Sequence, residues 1–230
     1  DDKTPAPTQN IVGLAQGNAN LSTLVSALTR FPDLVTTLSG SGTFTVFAPS
    51  NEAFANLLTA TGQTSLDNIP DAVLKKILQY HVVSTSTLRS NQLTAGSLTT
   101  VAGEDIAVST SGGLKLNTSV SVSSADVAAT NGVVHIVDAV LVNPSIVPIV
   151  GTIVAPAYFN KNFTTLIAAV NAASPSILST LLSSGKKTLF APTNDAFVAA
   201  GITTLPDRAT LDAVLGYHVL NTEVRAAGLP

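Results

Sequence analysis

Thr45–Phe54 reads TVFAPSNEAF, and Thr188–Phe197 reads TLFAPTNDAF. A phrase of this length, with an internal Pro and Asn, does not recur by chance, so the chain carries two copies of one module. Working outward, each phrase is followed by a Tyr-His pair, Tyr80-His81 and Tyr217-His218. Each is preceded by a matching start, Asn20–Val25 (NLSTLV) and Asn162–Ile167 (NFTTLI). The spacing between copies is 143 at Phe47 and Phe190 but 137 at Tyr80 and Tyr217. Copy two is therefore shorter around Thr59–Asn68, which marks that stretch as a surface loop.

The periodicity assigns elements around the phrase. Leu21, Leu24, Val25 and Leu28 fall on one helical face, as do Phe163, Leu166, Ile167 and Val170. Thr43–Phe47 is a strand by its β-branched and aromatic content. Ala48-Pro49 ends it, and Ser50 or Asn51 caps the helix that carries Phe54 and Leu57. Pro70-Asp71 opens a further helix with Leu74, Ile77 and Leu78 inward, and Pro206-Asp207 opens its counterpart. After His81 the period changes to two, through Ile106, Val108, Leu114, Leu116, Val120 and Val122, with a hairpin turn at Gly112-Gly113. A second turn at Asn131-Gly132 leads into a long apolar strand, 133–142, expected to be central. Helices first and strands later make an α+β domain.

Composition excludes several classes. With 45% apolar residues the chain can build sizeable cores, and 11% charged residues leave a neutral surface rich in hydroxyls. A net charge of −3 without a Lys/Arg cluster gives no footprint for nucleic acid. The absence of cysteine excludes thiol catalysis and thiolate metal sites. Mean hydropathy is +0.40, but the most apolar stretch, 146–159, is short and broken by Pro and Gly, so no transmembrane span is expected. The start, 1–9, reads as a polar, extended tether.

No hydrolase elbow, nucleotide-binding loop or calcium loop is present in the sequence, so no catalytic, metal or cofactor site is assigned. His81 and His218, each next to a Tyr at a helix end, read as histidines satisfying local backbone or as a surface contact or pH-sensitive latch. His135, within VVHIVD, is a structural hydrogen-bonder or a solvated edge residue. Asn51 and Asn194, with the acids that follow them, read as helix-capping positions, and Asp138 as a holder of loop backbone. Asp126 precedes a turn as a loop acid or a contact residue.

These motifs resemble the fasciclin-like domain family. The resemblance rests on TVFAPSNEAF and TLFAPTNDAF, on 79–83 (QYHVV) and 216–220 (GYHVL), and on 130–138 (TNGVVHIVD) in copy one. It implies a β-wedge of two sheets with a helical layer, in two tandem copies. Expected boundaries are a tether at 1–9, domain 1 at 10–143, a linker at 144–150 and the N-terminal half of domain 2 at 151–230. The counterpart of Asn143 falls beyond Pro230, so the remainder of domain 2 is expected either in further residues or in another chain that adds strands.

The resemblance implies an exported protein of an extracellular or cell-surface setting, acting without catalysis through contact with other proteins or matrix components. The acidic start is similar to the mature tether of bacterial surface lipoproteins, which implies a lipid anchor upstream of Asp1 and an outer-membrane location. In animal members, integrin contact is attributed to an Asp followed by an aliphatic residue before the Asn-Gly turn, and to the Tyr-His region. By position these are Asp126-Val127 and Tyr80-His81, with Ala125 where the family has Pro and Val127 where it has Ile. Two other readings stand beside adhesion: a self-associating subunit of a surface filament or outer-membrane assembly, and a binder of a carotenoid-type small ligand.

Overall fold

In the computed structural model, residues 6–225 and 227 are described. These residues form two compact units, one of 6–58 and 71–144 and the other of 59–70 and the described residues from 145 onward. Of the expected tether, residues 1–5 lie outside the described residues, while Gln9 is docked, its carbonyl accepting the Thr130 N–H at 2.9 Å.

Unit 1 begins with helices α1 (Ile11–Gln16), α2 (Ser22–Thr29) and α3 (Pro32–Ser39). Strand β1 (Phe44–Pro49), fully buried, leads into α4 (Asn51–Ala60), and α5 (Asp71–Tyr80) follows. The rest is β2 (Val82–Val83), β3 (Gly96–Thr99), β4 (Asp105–Ser109), β5 (Lys115–Leu116), β6 (Val120–Ala129) and β7 (Gly132–Val137). Pro32 and Asp33 start α3 as the sequence chemistry requires: proline loses nothing in the first turn, and the acid faces the positive end of the helix dipole.

The strands run in the hydrogen-bonded order β2-β1-β7-β6-β5-β4-β3. All neighbours are antiparallel except β1 and β7, which pair in parallel from Phe44 with Gly132 to Pro49 with Val137. Strand β6 belongs to both halves of this order. Its register against β7 shifts twice, between Val122 and Ser124 and between Ser124 and Val127. Such bulges bend a strand and raise its twist. One apolar cluster then joins Phe47, Val83 and Val137 from one half with Ile106, Leu116 and Val120 from the other. The α+β class, the paired sheet halves and the helical layer are those of the expected wedge.

Two readings need correction, and a third gains detail. The apolar run 133–142 is a strand only to Val137, where Asp138 turns to bond Ser121; Val140 and Leu141 stay buried without a ladder. Burial alone does not distinguish a strand from buried irregular chain. The stretch 144–150, expected as a linker, is a succession of turns, with Ile149 N–H on the Ile146 carbonyl and Ile146 fully buried. The stretch 59–68, read as a surface loop, belongs to the second unit and is partly buried there, where Gln63 Nε2 donates to the Pro156 carbonyl at 2.9 Å.

Unit 2 repeats the first half of the pattern. It contains α6 (Ala155–Tyr158), α7 (Thr164–Ala172), α8 (Pro175–Leu182), β8 (Thr188–Leu189), α9 (Asn194–Ala199), α10 (Arg208–Tyr217) and β9 (Val219–Leu220). Strand β8 pairs with β9 in a two-stranded antiparallel ladder. Its core gathers Leu166, Val170, Leu181, Phe197, Leu211 and Leu215. Among the described residues of the chain, no helix is long and apolar enough to cross a membrane.

Candidate functional site

The Tyr-His pair ends α5, and its two rings leave in different directions. Tyr80 is fully buried. Its hydroxyl donates to the Asp105 carbonyl at 2.7 Å and accepts from Asn117 Nδ2 at 2.9 Å. Burial raises the Tyr80 pKa, partly offset by the Asn117 bond. Asn117 sits at φ 47°, in the left-handed region that Asn tolerates, and its Oδ1 accepts the Ala107 N–H at 3.0 Å. One phenol thus fastens the end of α5 to β4 and to the β5–β6 turn.

His81 is also buried. Its Nδ1 lies 2.8 Å from the Ile77 carbonyl, and its Nε2 lies 2.9 Å from the backbone N–H of Leu141. An amide N–H can only donate, so Nε2 is bare; the carbonyl can only accept, so Nδ1 carries the proton. The ring is neutral, and burial lowers its pKa to about 4, against the Ile77 bond.

His135 uses its nitrogens the other way round. Nε2 meets the Leu88 carbonyl at 2.8 Å, and Nδ1 accepts from the Asp126 N–H at 3.3 Å. The ring stacks on Phe47 with centroids 5.6 Å apart. Burial lowers its pKa, with the Leu88 bond and the Asp126 charge opposing.

Asp126 lies at the β6 bulge with φ 62°, a conformation uncommon outside Gly but most accessible to Asn and Asp. One carboxylate oxygen accepts the Ser90 N–H at 2.7 Å, and the other accepts the Ser90 hydroxyl. Burial pushes its pKa up, but the Ser90 bonds, with His135 and Arg89, outweigh that and hold it below the usual carboxylate value. Thr45 completes the arrangement: its hydroxyl donates to the Ser86 carbonyl and accepts from the Leu88 N–H, both at 2.8 Å. The segment from Ser86 to Ser90 is thereby stapled to β1, β6 and β7.

The sequence-selected residues therefore divide. Asp126 and His135 are brought together; Tyr80 and His81 serve separate partners and present no surface to a partner. Val127 is half-buried on β6, next to exposed Ser123, Ser124 and Ala125. Asp138 accepts the Ser121 N–H at 2.8 Å.

The capping residue of α4 is Ser50, whose hydroxyl accepts the Ala53 N–H at 3.2 Å. Asn51 reaches back instead to the start of α2, accepting the Thr23 N–H and donating to the Ala19 carbonyl, each at 2.9 Å. Unit 2 repeats this: Thr193 caps α9, while Asn194 accepts from Thr165 N–H and donates to the Lys161 carbonyl, again at 2.9 Å each. Asn51 and Asn194 cap a different helix from the one they open. Sequence reasoning also left out Ser90 and Thr45, and took Asn131 only as a turn residue. Buried Asn131 accepts the Ile11 N–H at 3.0 Å and donates to the Leu38 and Gly40 carbonyls at 2.8 Å.

In unit 2, His218 Nδ1 meets the Val214 carbonyl at 2.7 Å, as His81 meets Ile77, while Tyr217 stands in solvent. Among the described residues, no group of three His, Cys, Asp or Glu side chains is placed to hold a metal ion.

The sequence profile of the fasciclin domain matches residues 19–143 and 161–230. The chain is 42% identical over 134 residues to Protein sll1483 of Synechocystis sp., covering 58% of this chain and 73% of that protein. It is 33% identical over 139 residues to transforming growth factor-beta-induced protein ig-h3 of Sus scrofa, covering 60% of this chain and 20% of that one. Human periostin is 31% identical over 192 residues, covering 80% of this chain and 22% of its own. The chain thus spans about a fifth of these animal relatives. Among solved structures, a FAS1 domain pair from the insect cell adhesion molecule Fasciclin I aligns over 93% of this chain and 77% of its own, at 17% identity and a TM-score of 0.44.

Proposed function

Because the chain belongs to the fasciclin domain family, we propose that it is an exported, non-enzymatic protein that acts at a cell surface or in a matrix by binding other proteins. The observation that carries this reading is the fasciclin match to both copies, 19–143 and 161–230. Fasciclin domains occur in extracellular and cell-surface proteins and mediate protein and matrix contacts. The use of the polar groups supports the non-enzymatic part. Both nitrogens of His81 and His135 and both carboxylate oxygens of Asp126 are spent on backbone or on Ser90, which leaves them poorly placed for proton transfer to a substrate.

Within unit 1 the contact surface we favour is the bulged ridge of β6, Ser123–Ala125 with Val127 beside it. These residues combine exposure with a backbone fixed by the Asp126–Ser90 and Asp126–His135 bonds. A rigid, exposed loop position loses little conformational entropy on binding. Tyr80 and His81 hold the scaffold beneath.

The test is protease shaving of intact source cells with immunodetection, followed by adhesion of purified protein to those cells and to matrix coatings. The expected result is surface digestion, and adhesion that Ala125→Arg reduces without lowering Tm. Protein confined to the cytoplasm would contradict the reading, and undiminished adhesion by the Arg variant would remove the β6 ridge from it.

A further inference from the structure

The bulge of β6 is held by a latch that works only while one ring nitrogen is bare. His135 Nδ1 accepts the Asp126 N–H at 3.3 Å, and its Nε2 donates to the Leu88 carbonyl at 2.8 Å. An amide N–H only donates, so the first contact requires a neutral His135. Asp126 turns its carboxylate the other way, one oxygen to the Ser90 N–H at 2.7 Å and the other to the Ser90 hydroxyl. Its backbone stands at φ 62°, inside the register shift between Ser124 and Val127. A residue in that region stays there only where its surroundings over-determine it. Here those surroundings are His135 and Ser90.

Charge around the ring is sparse. Strand β6 brings Asp126, and the segment from Ser86 to Ser90 brings Arg89, whose charge acts on Asp126. Strand β1 and helix α1, which also pack on β7, carry no titratable side chain. Burial keeps His135 neutral at pH 7 against the pull of Asp126. A proton on Nδ1 turns that acceptor into a second donor facing the Asp126 N–H. The charge acting on the ring is that of the Asp126 carboxylate, and a charge-assisted bond to it is stronger than the neutral contact it replaces. Ser90 is half-buried at the surface, so its two donors pass to water when the carboxylate leaves.

We infer that His135 is an acid-operated release for the β6 ridge. At neutral pH the bulge is latched through Asp126 to Ser90. When His135 takes a proton, the Asp126 carboxylate turns to the imidazolium, Ser90 is let go, and Ser123–Val127 loses its fixed backbone. The released state binds the proton more tightly than the latched one, so falling pH drives release. A ridge that must be re-ordered before it binds gives up affinity. Contact made at neutral pH is therefore dropped in acid surroundings. This regulation presupposes the contact role proposed for the ridge, with His135 as a positioning residue that touches no partner.

The test is an NMR titration of the isotope-labelled chain from about pH 7.5 to about pH 4.5, with circular dichroism confirming the fold at each step. Adhesion of the same protein to its source cells is measured over the same range. The Ser90 amide resonance should move with the midpoint of the His135 ring while the Asp126 carboxylate stays ionised. Adhesion should fall by about tenfold or more across that step. In His135→Gln, which keeps a donor for Leu88 and an acceptor for Asp126 but takes no proton, both responses should vanish; if that variant does not fold, the wild-type titration decides alone. A His135 ring that stays neutral to about pH 4.5, or that titrates with Ser90 unmoved, would overturn the inference. So would a Ser90 shift that tracks protonation of Asp126 itself, or adhesion undiminished once His135 has titrated. Absence of adhesion at every pH, with His135 and Ser90 titrating together, would establish the latch but refute the contact role of the ridge and, with it, the release.

Discussion

The backbone N–H of Leu141 donates to Nε2 of His81 at 2.9 Å and thereby fixes which ring nitrogen is bare. Protonating Nε2 would set two donors against each other in a buried site. With the folded pKa lowered from 6.5 to about 4, the unfolded chain binds the extra proton first as pH falls. Stability is full above about pH 6.5 and is lost as pH drops toward 4, by about 3 kcal/mol for the whole shift. His135, also lowered, acts in the same direction. Urea unfolding at successive pH values should show this fall. In His81→Gln the acid dependence should shrink, whatever its stability at neutral pH.

Asp126 combines a left-handed backbone with a carboxylate shared by both donors of Ser90. Asp126→Ala loses both bonds and places a less tolerant residue at φ 62°, so a loss of about 2–3 kcal/mol is expected. Asp126→Asn keeps an acceptor and the tolerance for this conformation, and should cost about half as much. Equal losses in thermal unfolding would refute this account of the bulge.

Asn51 and Asn194 each tie the start of one helix to the start of another. Asn51→Ala should cost about 1–2 kcal/mol, the range of a lost helix cap. Asn51→Asp keeps the acceptor for Thr23 N–H but loses the donor to the Ala19 carbonyl, so it should fall between wild type and Ala. Denaturant midpoints of the three proteins check the order.

Gly132 is fixed by packing as well as by the turn. A Cβ there would meet the Phe44 carbonyl oxygen at 2.2 Å, and that oxygen belongs to the strand paired with β7. Gly132→Ala must push β1 and β7 apart, at a cost of about 3 kcal/mol or more. Soluble, cooperatively folding Gly132→Ala protein at wild-type stability would contradict the observed strand packing.

The Lys75–Asp33 ion pair, 2.7 Å long, joins an exposed Asp33 to a half-buried Lys75 whose ammonium also lies 5.9 Å from the centre of the Phe31 ring. Lys75→Ala loses a solvent-screened ion pair and a cation–π contact at the surface, so stability should fall by no more than about 1.5 kcal/mol. A larger loss in urea unfolding would show that the pair or the lysine stem matters more than its exposure implies.

Much of this architecture was written locally. The helices α2, α4 and α5 announce themselves through apolar spacing and their starting residues, and the repeated phrase announces the two copies. Helix α1, with six residues, and β2, with two, are too short to impose a period. The end of β7 was hidden because Val140 and Leu141 are as buried as the strand before them. The braces were harder still. Ser90 meets Asp126 across 36 positions, and Asn131 meets Ile11 across 120, so no local pattern encodes either bond. Asn51 looked like a cap and is one, but for a helix 28 positions earlier.

The imidazoles of His81 and His135 are braces with assigned tautomers, not contact or reacting groups. Long-range ¹H–¹⁵N correlation of the histidine rings across a pH titration tests it most directly. His81 should show a protonated Nδ1 and a bare Nε2, and His135 the reverse, with His81 unchanged until pH approaches about 4. A His81 ring that titrates near 6.5 with mixed tautomers would contradict the account.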